Sequence, residues 1–241
     1  TGTATLAPEE WQVEQTRHLW TVFGNDVGAE AREGMVRRPY VRVLAAPASA
    51  LSTSGREVRL PERARTISAG PELAFVVGQV ASGVPEEQAE AYIAGYLAMA
   101  GLRDSSFAEL VSEPASLQER SSPGMYARWA DGFNVVSETP IALPATEARG
   151  RRMTLTIDGY GVAEGNTDEY VQLAPRALAF LSQWITVFPG DVVTLGRIGA
   201  EIQVPADAQV PNGTSGTVEV AGIGRATFTL ADHRGRETRE T

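Results

Sequence analysis

Two residue types are missing from this chain, and their absence removes whole classes of chemistry. The 241 residues include no cysteine, which excludes a disulfide framework, a thiolate nucleophile and a cysteine-ligated metal. They also include no lysine, since all 21 positions counted as lysine or arginine are arginine. Catalysis through a lysine Schiff base is therefore excluded as well.

Long apolar runs and basic clusters are missing too. No apolar run approaches the ~20 residues of a membrane span, and the first residues do not resemble a signal peptide, so we predict a cytoplasmic protein. The formal net charge is -9, and no basic stripe is present that would neutralise the phosphates of a nucleic acid. The two histidines, His18 and His233, lie near the two ends of the chain and are predicted to face solvent.

The length allows one large domain or two small ones. We favour one, because all-β folds often form a single domain of this size. We predict an N-terminal tail over residues 1–20, one domain over residues 21–231 and a C-terminal tail over residues 232–241.

The centre of the domain is predicted to be a pair of buried strands. Residues 73–77 are continuously apolar and are followed by Gly78, and Glu72 stands at the entrance to this strand. A short helical turn after Pro85 leads into a second apolar strand that ends at Arg103 and Asp104. An acid on one strand beside charged residues at the end of the next is typical of a pocket at the rim of a sheet.

The second half of the chain predicts a hairpin, a helix and further strands. Residues 152–157 alternate in polarity and end in an Asp158–Gly159 turn. An amphipathic helix is predicted over residues 169–186, with Thr167 as a candidate N-cap. Its apolar stripe contains Leu173, Ala177, Phe180, Leu181 and Trp184. Residues 216–220 and 225–230 are predicted as two closing strands.

Five short motifs, in this order, resemble the fumarylacetoacetate hydrolase superfamily. They are residues 72–78, 92–96, 131–133, 165–167 and 189–193. Within the superfamily the likeness is to the branch of 2-hydroxyhepta-2,4-diene-1,7-dioate isomerase and 5-oxopent-3-ene-1,2,5-tricarboxylate decarboxylase, and it covers roughly residues 20–230. The resemblance implies an α+β, mainly β fold, a mixed β-sandwich roll as in the C-terminal domain of fumarylacetoacetate hydrolase, and a homodimer.

The resemblance also implies a metal site that this chain does not retain. Such enzymes hold Mg²⁺ or Mn²⁺ with a Glu-x-Glu pair on the first strand and a third acid after the second. The corresponding positions here are Gly70, Glu72 and Gly101, so one ligand of three remains. We therefore predict no metal and no other cofactor. Asp104 is a substitute ligand only if the following loop is rebuilt.

Two further positions of the family's chemistry are altered. A lid helix carries a His-x-x-Glu acid/base dyad in related enzymes; Glu30 corresponds to its acid, but Val27 stands at the histidine position. A lysine that precedes a proline in related enzymes is replaced by Ala46.

Other positions are candidate substrate-binding residues. Arg128 stands where the family has the lysine of Lys-Ser-Phe-Asp, and its planar fork is suited to a carboxylate, although a surface arginine is an equal alternative. Arg197 follows Gly196 and is a second carboxylate binder. Thr167 corresponds to a threonine at the substrate carboxylate, with the N-cap role as the alternative. Tyr126 and Arg103 complete the predicted pocket mouth.

Two functions are compatible with this pattern. The first is a repurposed, metal-independent enzyme that acts on a β-dicarbonyl compound, an enol or a 2-oxo acid by decarboxylation, isomerisation, hydration or cyclisation, in secondary metabolism. In it, Arg128 and Arg197 would bind anionic groups, and Glu72 or Asp104 would act as the base. The alternative is a catalytically inactive binding or partner subunit that acts through its dimer surface.

Overall fold

The computed structural model describes residues 5–27, 40–110, 126–206 and 210–232, and within them the chain forms two β-sheets. The first sheet has eight strands: β1 (Leu19–Val22), β2 (Val43–Ala46), β3 (Leu51–Thr53), β5 (Thr66–Val77), β6 (Ile93–Asp104), β7 (Asn134–Val136), β10 (Val192–Arg197) and β11 (Ile202–Pro205). The second has five: β4 (Arg56–Leu60), β8 (Arg152–Ile157), β9 (Gly161–Asn166), β12 (Thr214–Val220) and β13 (Gly224–Asp232). Within the described ranges two short helices, α1 (Glu86–Ala89) and α2 (Ala174–Ser182), accompany them. The predicted α+β, mainly β class is confirmed.

The first sheet is curled into a roll. Its strand order is β2-β1-β10-β5-β6-β7-β3, with β11 paired to β5, and β1–β10 and β3–β7 are parallel. Six strand spacings would separate β2 from β3 by about 29 Å in a flat sheet. The connection from Ala46 to Leu51 spans at most about 18 Å. The two edges must therefore approach each other, and the sheet encloses an interior.

The long antiparallel pair β5–β6 belongs to both layers of the structure. In register, Gly70 pairs with Gly101 and Glu72 with Met99. Because side chains alternate along a strand, one face of the pair points into the roll, where Ala74, Leu97 and Met99 pack together. The opposite face packs on the second sheet, through a cluster that includes Ile67, Leu102, Leu155 and Phe228. Burial on both faces explains why these strands are continuously apolar in the sequence.

The predicted second-half helix is shorter than expected. The segment Thr167–Glu169 forms a 3₁₀ turn, and α2 begins only at Ala174, where Pro175 occupies the first turn. Ala177 and Leu181 are buried as predicted. Trp184 lies beyond the helix and is 75% exposed, so its assignment to the apolar stripe was wrong.

The N-terminal boundary also differs from the prediction. Residues before position 20 pack on the domain: Trp11 is buried and donates a hydrogen bond from Nε1 to the carbonyl of Gly190, 3.3 Å away. His18 is half-exposed, and its Nδ1 lies 3.1 Å from both carboxylate oxygens of the buried Asp191. Residues 5–20 therefore belong to the domain, whereas His233 lies outside the described residues. No helix among the described residues is long and apolar enough to cross a membrane.

Candidate active site

A buried ion pair stands inside the roll. Glu72 on β5 has no exposed surface, and its Oε1 accepts a hydrogen bond from Nη1 of Arg128 at 2.7 Å. Its Oε2 accepts from the hydroxyl of Thr194 on β10. Nη2 of Arg128 donates to Oδ1 of Asn134 on β7 at 2.8 Å, and Nδ2 of Asn134 donates to the carbonyl of Ala50 at 3.0 Å. We call Glu72 and Arg128 the buried pair.

Strand pairing brings these groups together. Asn134 pairs with Gly101, Gly101 with Gly70, and Arg197 with Glu72, so the side chains at these positions share the inner face of the sheet. The register of β10 against β5 shifts between Thr194 and Arg197. This bulge re-aims the end of β10 toward the site.

Tyr170 closes the gap that the bulge leaves between β5 and β10. Its hydroxyl donates to the carbonyl of Gly196 at 2.7 Å and accepts from the backbone N–H of Leu73 at 2.9 Å. Gly196 has φ +86°, and its own N–H donates to Oγ1 of Thr194 at 3.0 Å. Burial raises the pKa of Tyr170 well above its usual range, so the phenol stays neutral and keeps its donor.

Gly70 and Gly101 leave room for arginine side chains. A Cβ at Gly101 would lie 2.1 Å from Oε1 of Glu72 and 2.8 Å from Nη2 of Arg128. A Cβ at Gly70 would lie 3.2 Å from Cδ of Arg197. An acid at position 101 is thus incompatible with the buried pair as it stands. The residues present do not fit a three-carboxylate metal site, and no three His, Cys, Asp or Glu side chains in the described ranges are grouped to hold a metal.

A second charged group lies beside the buried pair and nearer to solvent. It consists of Ser68, Arg103, Arg197 and Glu201, and we call it the outer arginine cluster. Nη1 of Arg197 pairs with Oε1 of Glu201, and Nη2 of Arg103 lies 3.3 Å from its Oε2. The exposed fractions of the Arg103, Glu201 and Arg197 side chains are 35%, 26% and 17%, against 9% and 0% for Arg128 and Glu72.

The electrostatics of the outer arginine cluster are unbalanced. Burial and the nearby charge of Arg103 lower the pKa of Arg197. Burial alone would raise the pKa of Glu201, but the two arginines outweigh it and hold that pKa below its usual range. Two guanidinium groups thus face one carboxylate, which leaves the cluster with one excess positive charge.

Asp104 does not lie where a metal ligand or base would be needed. It pairs with Ile67, whose side chain packs toward the second sheet, so Asp104 stands on the opposite face of β6 from Gly101. Its Oδ1 accepts from the N–H and the hydroxyl of Ser106, at 2.9 and 2.6 Å. Asp104 therefore faces away from the buried pair, because one residue of register reverses the face, and its predicted role in the site stays a prediction.

Of three other predicted residues, two make contacts outside the buried pair and one falls outside the described residues. Thr167 is buried, and its Oγ1 accepts from the N–H of Arg151 at 2.9 Å, while Asn166 caps the 3₁₀ turn. Tyr126 is exposed, and its ring centroid lies 4.9 Å from that of Trp129 in an edge-on contact. Glu30 falls outside the described residues. The substrate-binding roles of Thr167 and Tyr126 and the catalytic role of Glu30 stay predictions.

Sequence reasoning missed Thr194, Asn134, Tyr170 and Glu201. A signal was present for two of them: Thr194 and Asn134 are single polar residues within or next to apolar runs, at 192–195 and 133–136. A buried polar side chain in such a run needs a partner. Tyr170 and Glu201 carry no comparable signal, since their partners are brought close only by the bulge and the turn around β10.

Comparison with known proteins agrees with this architecture. The model of the family "Fumarylacetoacetate (FAA) hydrolase C-terminal" matches residues 19–231. The mitochondrial oxaloacetate tautomerase FAHD1 of Arabidopsis thaliana is 26% identical over 200 residues, which cover 82% of this chain and 86% of that protein. The 4-hydroxyphenylacetate degradation bifunctional isomerase/decarboxylase of Escherichia coli is 29% identical over 164 residues, which cover 67% of this chain but only 34% of that enzyme.

The fold is also that of solved structures. The 5-carboxymethyl-2-hydroxymuconate delta-isomerase of Mycobacterium smegmatis matches with a TM-score of 0.71 at 20% identity, covering 90% of this chain and 77% of that one. This likeness confirms the predicted β-sandwich roll. Since the family model covers most of the sequence and the fold agrees, the chain belongs to the fumarylacetoacetate hydrolase family.

Proposed function

We propose that this protein is an enzyme of the fumarylacetoacetate hydrolase family that acts on a 2-oxo acid, a β-dicarbonyl compound or the corresponding enol without a resident divalent ion. One observation carries the proposal: the guanidinium of Arg128, paired with Glu72, lies against Gly101, where a third carboxylate ligand would have to stand. A fixed organic cation thus takes the place that an ion would need.

The chemical role of Arg128 follows from its setting. A guanidinium has five N–H donors, and one each serves Glu72 and Asn134. The remaining donors are held in a fixed direction within a low-dielectric interior, where a preorganised cation stabilises a developing enolate oxygen more strongly than water does. Glu72 and Asn134 orient the guanidinium before substrate binds, so little reorganisation is needed during the reaction.

The outer arginine cluster supplies the second half of the site. Arg197 and Arg103 lie on the same face as Glu72 and nearer to solvent, at positions suited to a carboxylate of the substrate. A substrate with a carboxylate and an enolisable carbonyl would then place its carboxylate on Arg103 and Arg197 and its carbonyl oxygen on Arg128. Oxaloacetate has this form, and a relative of the chain is an oxaloacetate tautomerase.

Glu72 is not the base in this arrangement. Both of its oxygens already accept hydrogen bonds from Arg128 and Thr194, and its side chain has no exposed surface. We therefore assign Glu72 the role of a positioning residue for Arg128. Among the predicted acid/base residues this leaves Glu30 as the candidate for moving the proton.

A binding protein without turnover is the second candidate function. The observation that favours it is again that both oxygens of Glu72 accept hydrogen bonds. Among the described residues no free carboxylate therefore stands beside Arg128 to act as a base. Such a protein would bind the 2-oxo acid without converting it.

The experiment compares enol–keto conversion of oxaloacetate, followed by the absorbance of the enol, before and after treatment with a chelator. We expect equal rates, and no gain on adding Mg²⁺ or Mn²⁺. The double variant Glu72→Gln/Arg128→Met removes both charges together, and we expect kcat/KM to fall by about 10²–10³-fold. The control is Arg59→Met, which changes an exposed arginine on the second sheet.

Each outcome is decisive. Loss of activity on chelation with recovery on Mg²⁺ would refute metal independence. Full activity in the double variant would refute the role of Arg128. Binding of oxaloacetate without any conversion would favour the binding protein.

A further inference from the structure

The carboxylate of Glu201 has the contacts that a bound carboxylate would have. It pairs with Nη1 of Arg197 through Oε1 and with Nη2 of Arg103 at 3.4 Å and 3.3 Å through its two oxygens. The carboxylate also contacts Nε2 of Gln203, at 3.5 Å, and the hydroxyl of Ser68 donates to it. A carboxylate between two guanidinium groups is the geometry in which arginine recognises acidic ligands.

The group that holds Glu201 is built into the sheet, whereas Glu201 itself is not. Ser68 is fully buried, and its hydroxyl accepts from Nε of Arg103 at 3.2 Å. Arg197 is anchored over Gly70, with Nη1 also 3.5 Å from Oγ of Ser68. Glu201 follows two exposed residues in the turn between β10 and β11, and its side chain is partly exposed. Its carboxylate thus stands at the solvent side of the two arginines, where a ligand carboxylate can reach the same donors.

The charges of the outer arginine cluster favour replacement of Glu201 by an incoming carboxylate. Two guanidinium groups face a single carboxylate, so an incoming anion meets an attractive field even while Glu201 is in place. Replacing Glu201 by a ligand carboxylate keeps both arginines paired, so exchange leaves no buried charge uncompensated.

We propose that the carboxylate of Glu201 occupies the place of the substrate carboxylate. It pairs with Arg103 and Arg197 until a carboxylate ligand displaces it. This inference rests on the carboxylate-binding role assigned above to the outer arginine cluster. It adds that the site selects for acids able to compete with an intramolecular carboxylate. Neutral analogues of the substrate would leave Glu201 in place and would bind poorly.

The alternative role for Glu201 is to hold the two arginines in position, and the two roles predict opposite signs. If Glu201 competes with the ligand, the variant Glu201→Gln, which has a neutral side chain of the same shape, binds the ligand more tightly than wild type. If Glu201 only positions the arginines, removal of its charge loosens them and weakens binding.

The test measures the dissociation constant of malonate by isothermal titration calorimetry in wild type, Glu201→Gln and Arg197→Gln. If Glu201 occupies the arginines for about nine tenths of the time, we expect Glu201→Gln to bind malonate about tenfold more tightly. Arg197→Gln should lose binding, both alone and combined with Glu201→Gln. Glu57→Gln is the matched control, because it neutralises a glutamate in the exposed ion pair with Arg59 on the second sheet. Its affinity for malonate should equal that of wild type.

The outcomes separate this inference from the proposed function. Weaker or unchanged binding in Glu201→Gln, with binding still lost in Arg197→Gln, would overturn the displacement of Glu201 by the ligand and leave the arginine site intact. Equal binding in wild type and Arg197→Gln, or no binding of malonate to any variant, would overturn both. Circular dichroism of each variant establishes that a change in affinity does not reflect unfolding.

Discussion

Nη1 of Arg128 lies 2.7 Å from Oε1 of Glu72, and the two side chains are almost entirely shielded from solvent. The attraction in such a pair roughly offsets the cost of burying both charges, so the pair itself adds little stability. Removal of one partner is different, because it leaves the other charge buried and uncompensated. Removing one residue of the pair is therefore expected to lower the free energy of unfolding far more than replacing both residues by neutral ones.

We expect Arg128→Met to lower the free energy of unfolding by about 3–5 kcal/mol, since Glu72 would lose its counter-charge. The double variant Glu72→Gln/Arg128→Met should lose clearly less than the single one, because no charge is left behind. Urea denaturation followed by circular dichroism measures both values. Arg59→Met, from an exposed pair, should change stability by less than about 1 kcal/mol. A double variant as unstable as Arg128→Met would contradict this account.

Gly101 and Gly70 are cross-strand partners that should respond differently to the same substitution. Gly101→Ala places a Cβ against the buried Glu72 carboxylate, and we expect a loss of about 1–3 kcal/mol from overpacking. Gly70→Ala meets only the methylene groups of Arg197, the nearest at 3.2 Å, and should cost less. Denaturant unfolding of the two variants checks the order. Equal stability of the two would mean that the space over Gly101 is not filled by the pair.

The parts of the fold that the sequence predicted best are those where local pattern and burial agree. The apolar run at 73–77 predicted a buried strand, and residues 152–157 with Asp158–Gly159 predicted a hairpin; both are present. The helix was overextended because the apolar spacing continues past both ends, while Pro175 fixes where helical hydrogen bonding starts.

The candidate site was harder to predict because it depends on register. The resemblance indicated Gly70, Glu72 and Gly101, and these positions lie close together because they stand on two adjacent antiparallel strands. Asp104 differs from them by a single position of alternation, which turns its side chain to the other sheet. The contacts of Glu201 and Tyr170 arise from the bulge in β10, and a bulge inserts an irregularity that no periodic pattern reveals.

Tyr170 should make the protein sensitive to alkali. An unfolded tyrosine has a pKa of about 10, and burial raises the pKa of Tyr170 well above that. The native state therefore keeps a proton that the unfolded state releases above about pH 10. The contribution of Tyr170 is complete below that pH and is lost as the pH rises toward the folded pKa, by about 1.4 kcal/mol per pH unit.

The measurement is the free energy of unfolding in urea at about pH 9 and about pH 11, for wild type and Tyr170→Phe. The variant should be less stable at the lower pH, because Leu73 N–H and the Gly196 carbonyl lose their partner. Its further decline with pH should be shallower than that of wild type. Parallel declines would show that Tyr170 ionises as freely in the native state as in the unfolded one.

A divalent ion should bind once the arginine is removed and the missing acids are supplied. We expect the triple variant Gly70→Glu/Gly101→Asp/Arg128→Ala to bind Mn²⁺, because three carboxylates then face one another on β5 and β6 and the fixed positive charge is gone. The double variant Gly70→Glu/Gly101→Asp, which keeps Arg128, is the control. It keeps the positive charge of the guanidinium among the carboxylates, so it should bind Mn²⁺ no better than wild type. Titration calorimetry with MnCl₂ distinguishes the three proteins. Binding by the double variant equal to that of the triple one would mean that Arg128 does not exclude the ion, and the substitution of guanidinium for metal would have to be abandoned.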